Sequence, residues 1–301
     1  MTFFMSDQIS VNLFTIQKPL IRETIENKRL TPPTRDPRND VRHVVVRYKD
    51  KLPYRPGQSV GILIPGIDSL TGKPHKLRLY SVASVSAGDL EDRQSVSFCV
   101  VRHFWDNPKT GEKKIPGLAS NYLCDLKVGD RVSMTGPVGR HFLLPEDFKK
   151  RDIVFAATGT GIAPYRGMLK EMFEVGFQGR VWLYFGVQYR DVVLYDNEFE
   201  TYRKHKNFFY VKAISREEKN PIPDIVPTRE NRMYVQVKMY QDQKLLGEVL
   251  TKPDSMVYLC GLKGMEQGIF PVLDQIGSKL GSQDSFVTKL KAEQRLRVEV
   301  Y

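Results

Sequence analysis

The sequence predicts two domains in series: a small antiparallel β-barrel followed by an α/β domain built on a parallel sheet. Three observations carry this. Residues 41–145 hold short β-rich runs separated by turn formers, the spacing of an antiparallel barrel. Beyond Pro145, apolar runs each precede a stretch of helical character, the alternation of a doubly wound sheet. Finally, 301 residues with 41% apolar and 11% aromatic side chains are enough to fill two cores.

In order, the barrel strands are VRHVVVRY, KLPYRPGQSVGILIPG, RLYSVASV, SVSFCVVRHFW and DRVSMTGPVG. The polar stretch EDFKKR at 146–151 marks the boundary, so residues 1–148 form the first domain, with 1–40 as extension and lead-in, and 149–301 the second. There IVFAA (153–157) meets the turn TGTGIAP and then the helical stretch YRGMLKEMFEVG; VWLYFGV, FFYVKAIS and MVYLCGL supply further strands. NPIPDIVPTREN (220–231), with three prolines, reads as a surface loop interrupting the second domain.

Lys and Arg number 46 against 35 Asp and Glu, a net charge of +11. The sign favours an anionic partner, whether nucleic acid, membrane face, acidic protein or phosphate-rich small molecule, without choosing among them. Cys99, Cys124 and Cys260 include no CxxC pair, and no His stands at ligand spacing, so neither a disulfide framework nor a metal site is encoded. Any electron carrier is then bound noncovalently. The start MTFFMSDQISVNLF lacks a signal-peptide pattern, and no run reaches the roughly 18 apolar residues of a membrane span. The expected location is the cytoplasm, or the plastid stroma if a transit peptide has been removed.

Gly159 and Gly161 stand between a buried-type strand and a helix starting near Pro164, a turn that lets backbone approach a phosphate at a helix N-terminus. Pro164 fills the third Gly position of GxGxxG, so the motif alone is equally a plain strand-turn-helix corner. An NAD site would want an acid at the end of the second strand, yet VWLYFGVQYR has none before Asp191. Instead FFYVKAIS ends at Ser215 and Arg216, and Arg232, Tyr234 and Gln236 alternate on one face if that stretch is extended. Two guanidiniums with hydroxyls and an amide suit a 2′-phosphate, and Tyr234 can stack on adenine. Against this, Arg216 beside Glu217 and Glu218 is by itself an ordinary solvated charge. In RLYSVAS, Arg78 and Tyr80 share a strand face while Ser81 points away unless the strand bends. An arginine, an aromatic ring and a hydroxyl suit a flavin, and equally a plain barrel strand.

The strings RLYSVAS, GLASNYLCDLKVGD, MTGPVG, ATGTGIAP, ISRE, MYVQ, CGLKGMEQGI and VEVY stand in this order. Together they resemble the ferredoxin–NADP reductases of the plastid and cyanobacterial type, from about residue 40 to Tyr301. The resemblance implies an FAD-binding antiparallel barrel, an NADP-binding α/β domain and hydride transfer between flavin N5 and nicotinamide C4. It implies Arg78 on the FAD pyrophosphate, Tyr80 stacked on one flavin face with Leu79 beside it, and Ser81 near N5. Cys99, Val100 and Val101, with Gly117, Leu118, Ala119 and Ser120, complete the FAD site, and Trp105 stands where the family has an adenine-stacking tyrosine. Val101 replaces a basic residue of relatives; neighbours on a strand face opposite ways, so whether Arg102 compensates stays open. Ala119 replaces a cysteine.

For NADP(H), the resemblance implies Thr160 on the nicotinamide nucleotide and Ser215, Arg216, Arg232 and Tyr234 on the 2′-phosphate and adenosine, with Gln236 beside them. Val187, Gly261 and Leu262 serve the rest of the dinucleotide. Cys260 and Glu299 lie near the nicotinamide, and Tyr301 over the flavin face opposite Tyr80. Ser81, Cys260, Glu299 and Tyr301 are thus the catalytic set, with no metal.

The partner implied is an acidic one-electron carrier, ferredoxin or flavodoxin, steered by Lys49, Lys51, Arg55, Lys73, Lys76 and Arg140. The enzyme is expected to be a monomer without nucleic-acid or integral-membrane partners. The alternatives are a related flavin reductase feeding an oxygenase or P450-type protein, and a non-catalytic basic binding protein on the same fold.

Overall fold

The computed structural model describes residues 9–36, 39–47, 52–69, 71–91 and 94–301. The chain forms two compact units: one runs to Leu144 and includes Ala163–Glu171, the other comprises Pro145–Ile162 and Met172 onward. The division falls just before the 148/149 boundary read from sequence, and Ala163–Glu171 joins the first unit rather than the second. The reason is local. Arg166 donates to the Ala83 carbonyl (3.0 Å) and to Asp89 (2.7 Å), and a Cβ on Gly167 would lie 2.6 Å from the Ser84 carbonyl oxygen.

The first unit contains β1 (Leu20–Arg29), β2 (Val41–Arg47), β3 (Ser59–Leu63), β4 (Ile67–Asp68), β5 (Lys73–Pro74), β6 (Arg78–Ser81), β7 (Ser95–Val101), β8 (Phe104–Trp105), β9 (Ile115–Pro116), α1 (Leu118–Asp125) and β10 (Arg131–Val138). Six strands form an antiparallel sheet in the order β6-β3-β10-β1-β2-β7. A bridge between Val82 and Phe98, with the Ala83 amide donating to Ser97 (2.8 Å), draws its two ends together into a barrel. Val44, Val60, Ile62, Val82, Phe98 and Val132 fill it.

The lead-in expected over residues 1–40 needs correction, because Leu20–Arg29 is a central strand, with Leu20 opposite Met134 of β10 and Thr24 opposite Val46 of β2. In LIRETIENKR only Leu20 and Thr24 are fully buried, so the charged face hides the period-two pattern.

The second unit contains β11 (Ile153–Thr158), most of the turn leading into α2 (Ala163–Glu174), β12 (Val181–Val187), α3 (Asp196–Tyr202), β13 (Phe208–Ile214), α4 (Val235–Gln241), α5 (Gln243–Leu250), β14 (Met256–Gly261), α6 (Met265–Lys279), α7 (Phe286–Ala292) and β15 (Leu296–Val300). Its five strands are all parallel, ordered β13-β12-β11-β14-β15. Their buried faces explain the nearly unbroken apolar runs. The chain leaves β11 toward β12 on one side and returns to β14 on the other, and such a reversal opens a ligand crevice at the carboxyl ends of the strands.

The proline-rich stretch 220–231 is a loop, anchored at two points. Asn220 is buried and donates to the Val226 carbonyl (2.6 Å), and Val226 sits in the core with Met233 and Val235. Among the described residues, no helix is long and apolar enough to cross a membrane.

Candidate functional site

In the first unit, β6 presents an exposed Arg78 and Leu79, a half-buried Tyr80 and a half-buried Ser81 opposite Ser59. The Tyr80 ring meets Phe98 edge-on, with centroids 6.4 Å apart, and packs against the cluster that includes Leu123 and Cys124 of α1. Burial pushes its phenol well above the usual range, so it is a neutral stacking surface. On β7, Cys99 and Val100 are buried and Val101 half-buried. Trp105 is 43% exposed, opposite Ile115 on the β8–β9 ribbon.

Gly117 begins α1, and no side chain caps this end, so its first amides point outward with the positive end of the helix dipole. The turn is fixed by Gly117 N–H donating to His103 O (2.8 Å) and His103 N–H donating to Ser120 Oγ (3.1 Å). Ala119 and Ser120 are buried beneath the exposed Leu118. An uncapped helix start and an exposed guanidinium could receive a pyrophosphate, and a half-buried phenol ring and an exposed indole offer flat surfaces to heterocycles.

Side chains from distant strands hold α1 in place. Asn27 of β1 donates to the carbonyls of Leu123 (3.1 Å), Cys124 (3.2 Å) and Leu126 (2.7 Å), satisfying the C-terminal end. Arg102 binds Asp40 (3.1 Å), Asn121 (3.0 Å) and Asp125 (2.7 Å). Arg102, next to Val101, is thus engaged in bracing α1. Asp40 is buried and also receives Arg42 (2.9 Å) and Arg29 (3.3 Å). Burial alone would raise its pKa, but hydrogen bonds from Arg42 and Arg102, with the charges of Arg42 and Arg29, hold it below the ordinary 3.8.

In the second unit, β11 ends at Thr158 and turns through Gly159–Ile162 into α2. Gly159 is left-handed (φ +53°) with open space where a Cβ would stand, whereas a Cβ on Gly161 would lie 2.2 Å from the Cys260 carbonyl oxygen. The turn therefore packs directly on β14. Thr158, passed over in the sequence reading, accepts the Leu262 amide at 2.9 Å.

Parallel register puts Cys260 beside Glu299. Burial, then the Glu299 charge, drives the Cys260 thiol far above its usual value, so it remains protonated. Tyr301 is not a loose end: its amide donates to Gly261 O (3.0 Å), its carbonyl accepts from Lys263 (2.9 Å), and its hydroxyl lies 2.6 Å from Thr160 Oγ1.

Beyond β12 and β13, Ser215 Oγ and its amide donate to the Val187 carbonyl (3.2 and 2.9 Å), and Arg216 N–H donates to Gln188 O (2.9 Å). Glu217 and Glu218 are held by Arg190 (3.2 and 2.8 Å), and Glu218 also by Lys238 (3.3 Å), so both carboxylates beside Arg216 are engaged by other cations. The backbones of Lys219 and Arg232 pair in an isolated antiparallel bridge, and Met233 N–H donates to Glu218 O (3.1 Å), which draws the Ser215–Arg216 and Arg232–Tyr234 segments together. The expectation that Arg232, Tyr234 and Gln236 share an extended face holds only as far as Tyr234. The chain turns helical at Val235, and the Gln236 amide lies against Gly268 of α6. Of the basic set expected to face a carrier, Lys73, Lys76 and Arg140 are exposed and Arg55 half-buried; Lys49 and Lys51 lie outside the described residues.

A family model described as the oxidoreductase NAD-binding domain matches residues 155–270. The chloroplast leaf-type ferredoxin–NADP reductase of Nicotiana tabacum is 40% identical over 305 residues, covering 97% of this chain and 80% of its own length. The ferredoxin–NADP reductase of Spirulina sp is 39% identical over 302 residues, covering 97% of this chain and 99% of that one. Among solved structures, the ferredoxin–NADP+ reductase of Plasmodium falciparum aligns with a TM-score of 0.74 at 25% identity, over 97% of this chain and 99% of that chain. A mutant of that enzyme in complex with 2′P-AMP aligns with the same TM-score.

Proposed function

This chain belongs to the ferredoxin–NADP reductase family, and on that footing we propose that it moves electrons between NADP(H), held by the second unit, and an acidic one-electron carrier, by way of FAD held by the first. The observation that supports this most is the meeting of Thr160, Cys260, Gly261, Glu299 and Tyr301 at the carboxyl ends of β11, β14 and β15. When bound, FAD supplies hydride exchange with nicotinamide C4 and single-electron exchange with the carrier.

The side chains bind and orient. Arg78 and the first amides of α1 would hold the FAD pyrophosphate, Tyr80 and Ser81 would receive the flavin ring, and Trp105 would receive the adenine. Cys99, Val100 and Val101 line the flavin from β7. On the nucleotide side, Thr160, Val187, Gly261 and Leu262 carry the dinucleotide backbone, while Ser215, Arg216, Arg232 and Tyr234 take the 2′-phosphate and adenosine. The neutral Cys260 thiol and Glu299 position the nicotinamide, and Tyr301 leaves its place to admit it, a displacement charged against binding. Arg55, Lys73, Lys76 and Arg140 steer the carrier, ferredoxin or flavodoxin.

The test exchanges two residues. Ser215→Asp with Arg216→Ala replaces charge-assisted bonds, each roughly 1.5 to 3 kcal/mol, by repulsion. Stopped-flow reduction of the bound flavin should then lose roughly ten- to a hundredfold in NADPH affinity while NADH is little changed. Equal losses with both nucleotides would mean that the phosphate site lies elsewhere.

A further inference from the structure

Glu230 occupies an unusual position. It lies at the end of the proline-rich loop, and both it and Asn231 adopt left-handed backbone (φ +55° and +52°), a conformation that residues with side chains rarely take up in succession. The surrounding backbone is fastened: Asn231 N–H donates to Thr228 O (3.1 Å), Asn220 N–H donates to Asn231 O (2.7 Å), and Thr228 Oγ1 donates to Arg232 O (2.7 Å). This turn brings the Glu230 carboxylate onto the Arg232 guanidinium and within 3.3 Å of Arg229. Its charge also interacts with Arg216, and these pairings hold its carboxyl below the usual range although burial alone acts the other way. The Arg232 side chain is 15% exposed and that of Glu230 is 52% exposed. The anion rather than the cation therefore has room to move.

We propose that the Glu230 carboxylate is an internal counter-anion at the 2′-phosphate subsite, which an incoming nucleotide must displace, so that Glu230 sets the affinity for NADP(H). This rests on the reading of Arg216 and Arg232 as that subsite. A 2′-phosphate seeks the same guanidinium hydrogens that the carboxylate now takes, and the two anions repel if both remain. A nucleotide without the 2′-phosphate has no quarrel with Glu230. The residue therefore lowers NADP affinity selectively, and the fastened loop returns the carboxylate to Arg232 when the nucleotide leaves.

Calorimetric titration of the full-length, FAD-loaded chain with 2′-phospho-AMP and with AMP tests this. Glu230→Gln removes the charge from an exposed site and keeps the shape, so 2′-phospho-AMP should bind roughly two- to tenfold tighter, the range of an exposed ion pair plus the repulsion relieved. AMP should bind as before, and Glu230→Asp, which keeps the charge, should stay near the starting affinity. Unchanged or weaker 2′-phospho-AMP binding by the Gln variant overturns the proposal. Equal tightening of both ligands overturns it too, because the effect would then not act through the phosphate. Arg232→Ala separates the two readings: it should weaken 2′-phospho-AMP at least tenfold and spare AMP. If it weakens neither, the subsite itself is misassigned.

Discussion

In the second unit, parallel register sets Cys260 beside Glu299 and Gly261 beside Val300, and the turn after β11, packed on β14 at Gly161, carries Thr160 to them. In the first, α1 is held at its C-terminal end by Asn27 from β1 and along its length by Arg102 bridging Asp40, Asn121 and Asp125. One site is assembled by strand pairing and close backbone contact, the other by polar side chains reaching across the barrel. Damage to each should therefore look different.

The largest effect is expected where two backbones touch. In Gly161→Ala the new methyl carbon would lie 2.2 Å from the Cys260 carbonyl oxygen, and overpacking against main chain costs about 3 kcal/mol. Urea unfolding should show this loss, and NADP binding should fail. Flavin retention by the first unit should persist; its loss would break the contrast between the two units.

Next comes Asp40→Asn, which removes the anion shared by three arginines. Hydrogen bonds to charged groups contribute roughly 1.5 to 3 kcal/mol, so a loss of about 2 kcal/mol with partial release of FAD is expected, read from visible absorbance per protein. The pH dependence has a definite sign. A carboxyl whose folded value lies below its ordinary 3.8 stabilises the fold above that value and loses this contribution as pH falls through its folded one. The variant should thus be less stable at neutral pH and converge with the parent under strong acid. Parallel stability curves across that window would mean that Asp40 is not the brace.

The smallest effect is at Tyr301, where one hydroxyl contact and the ring are at stake. Aromatic contacts contribute roughly 0.5 to 1.5 kcal/mol beyond burial. Tyr301→Ser should therefore tighten NADP binding several-fold, raise NADH use and slow NADPH turnover through delayed product release. An unchanged flavin spectrum, NADP affinity and NADH rate would return Tyr301 to an ordinary chain end.

How far the sequence discloses these sites follows the same division. IVFAA, VWLYFGV, FFYVKAI and MVYLCG announce buried parallel strands because both faces are covered, and the Gly159–Gly161 turn follows from the strand before it. That Arg78, Tyr80 and Ser81 share a strand is legible because they lie within one short run. Asn27, Asp40 and Arg102 are not, because their role arises only when segments far apart in sequence meet around α1. β1 escapes notice since Glu23 and Lys28 are exposed and a half-buried Arg22 stands between the buried Leu20 and Thr24. The end of the extended face at Tyr234 is not legible because nothing before Val235 signals a helix start: Tyr234 occupies the cap position and gives no side-chain cap. The loop 220–231 reads correctly as a loop, while the anchoring of Asn220 and Val226 depends on the core beneath it.

The pairing of Leu20 with Met134 also bears on how the barrel forms. β1 can meet β2 early, across a short connection, but its other edge stays bare until β10 has been made. Contacts of such separation pay their loop-closure entropy late and slow the search for the fold. In the interval an unpaired strand edge is open to wrong partners. The alternating Arg, Glu and Lys of β1 that conceal it from a reader of the sequence would, in a chain still being synthesised, repel the edges of other molecules until its own partner arrives.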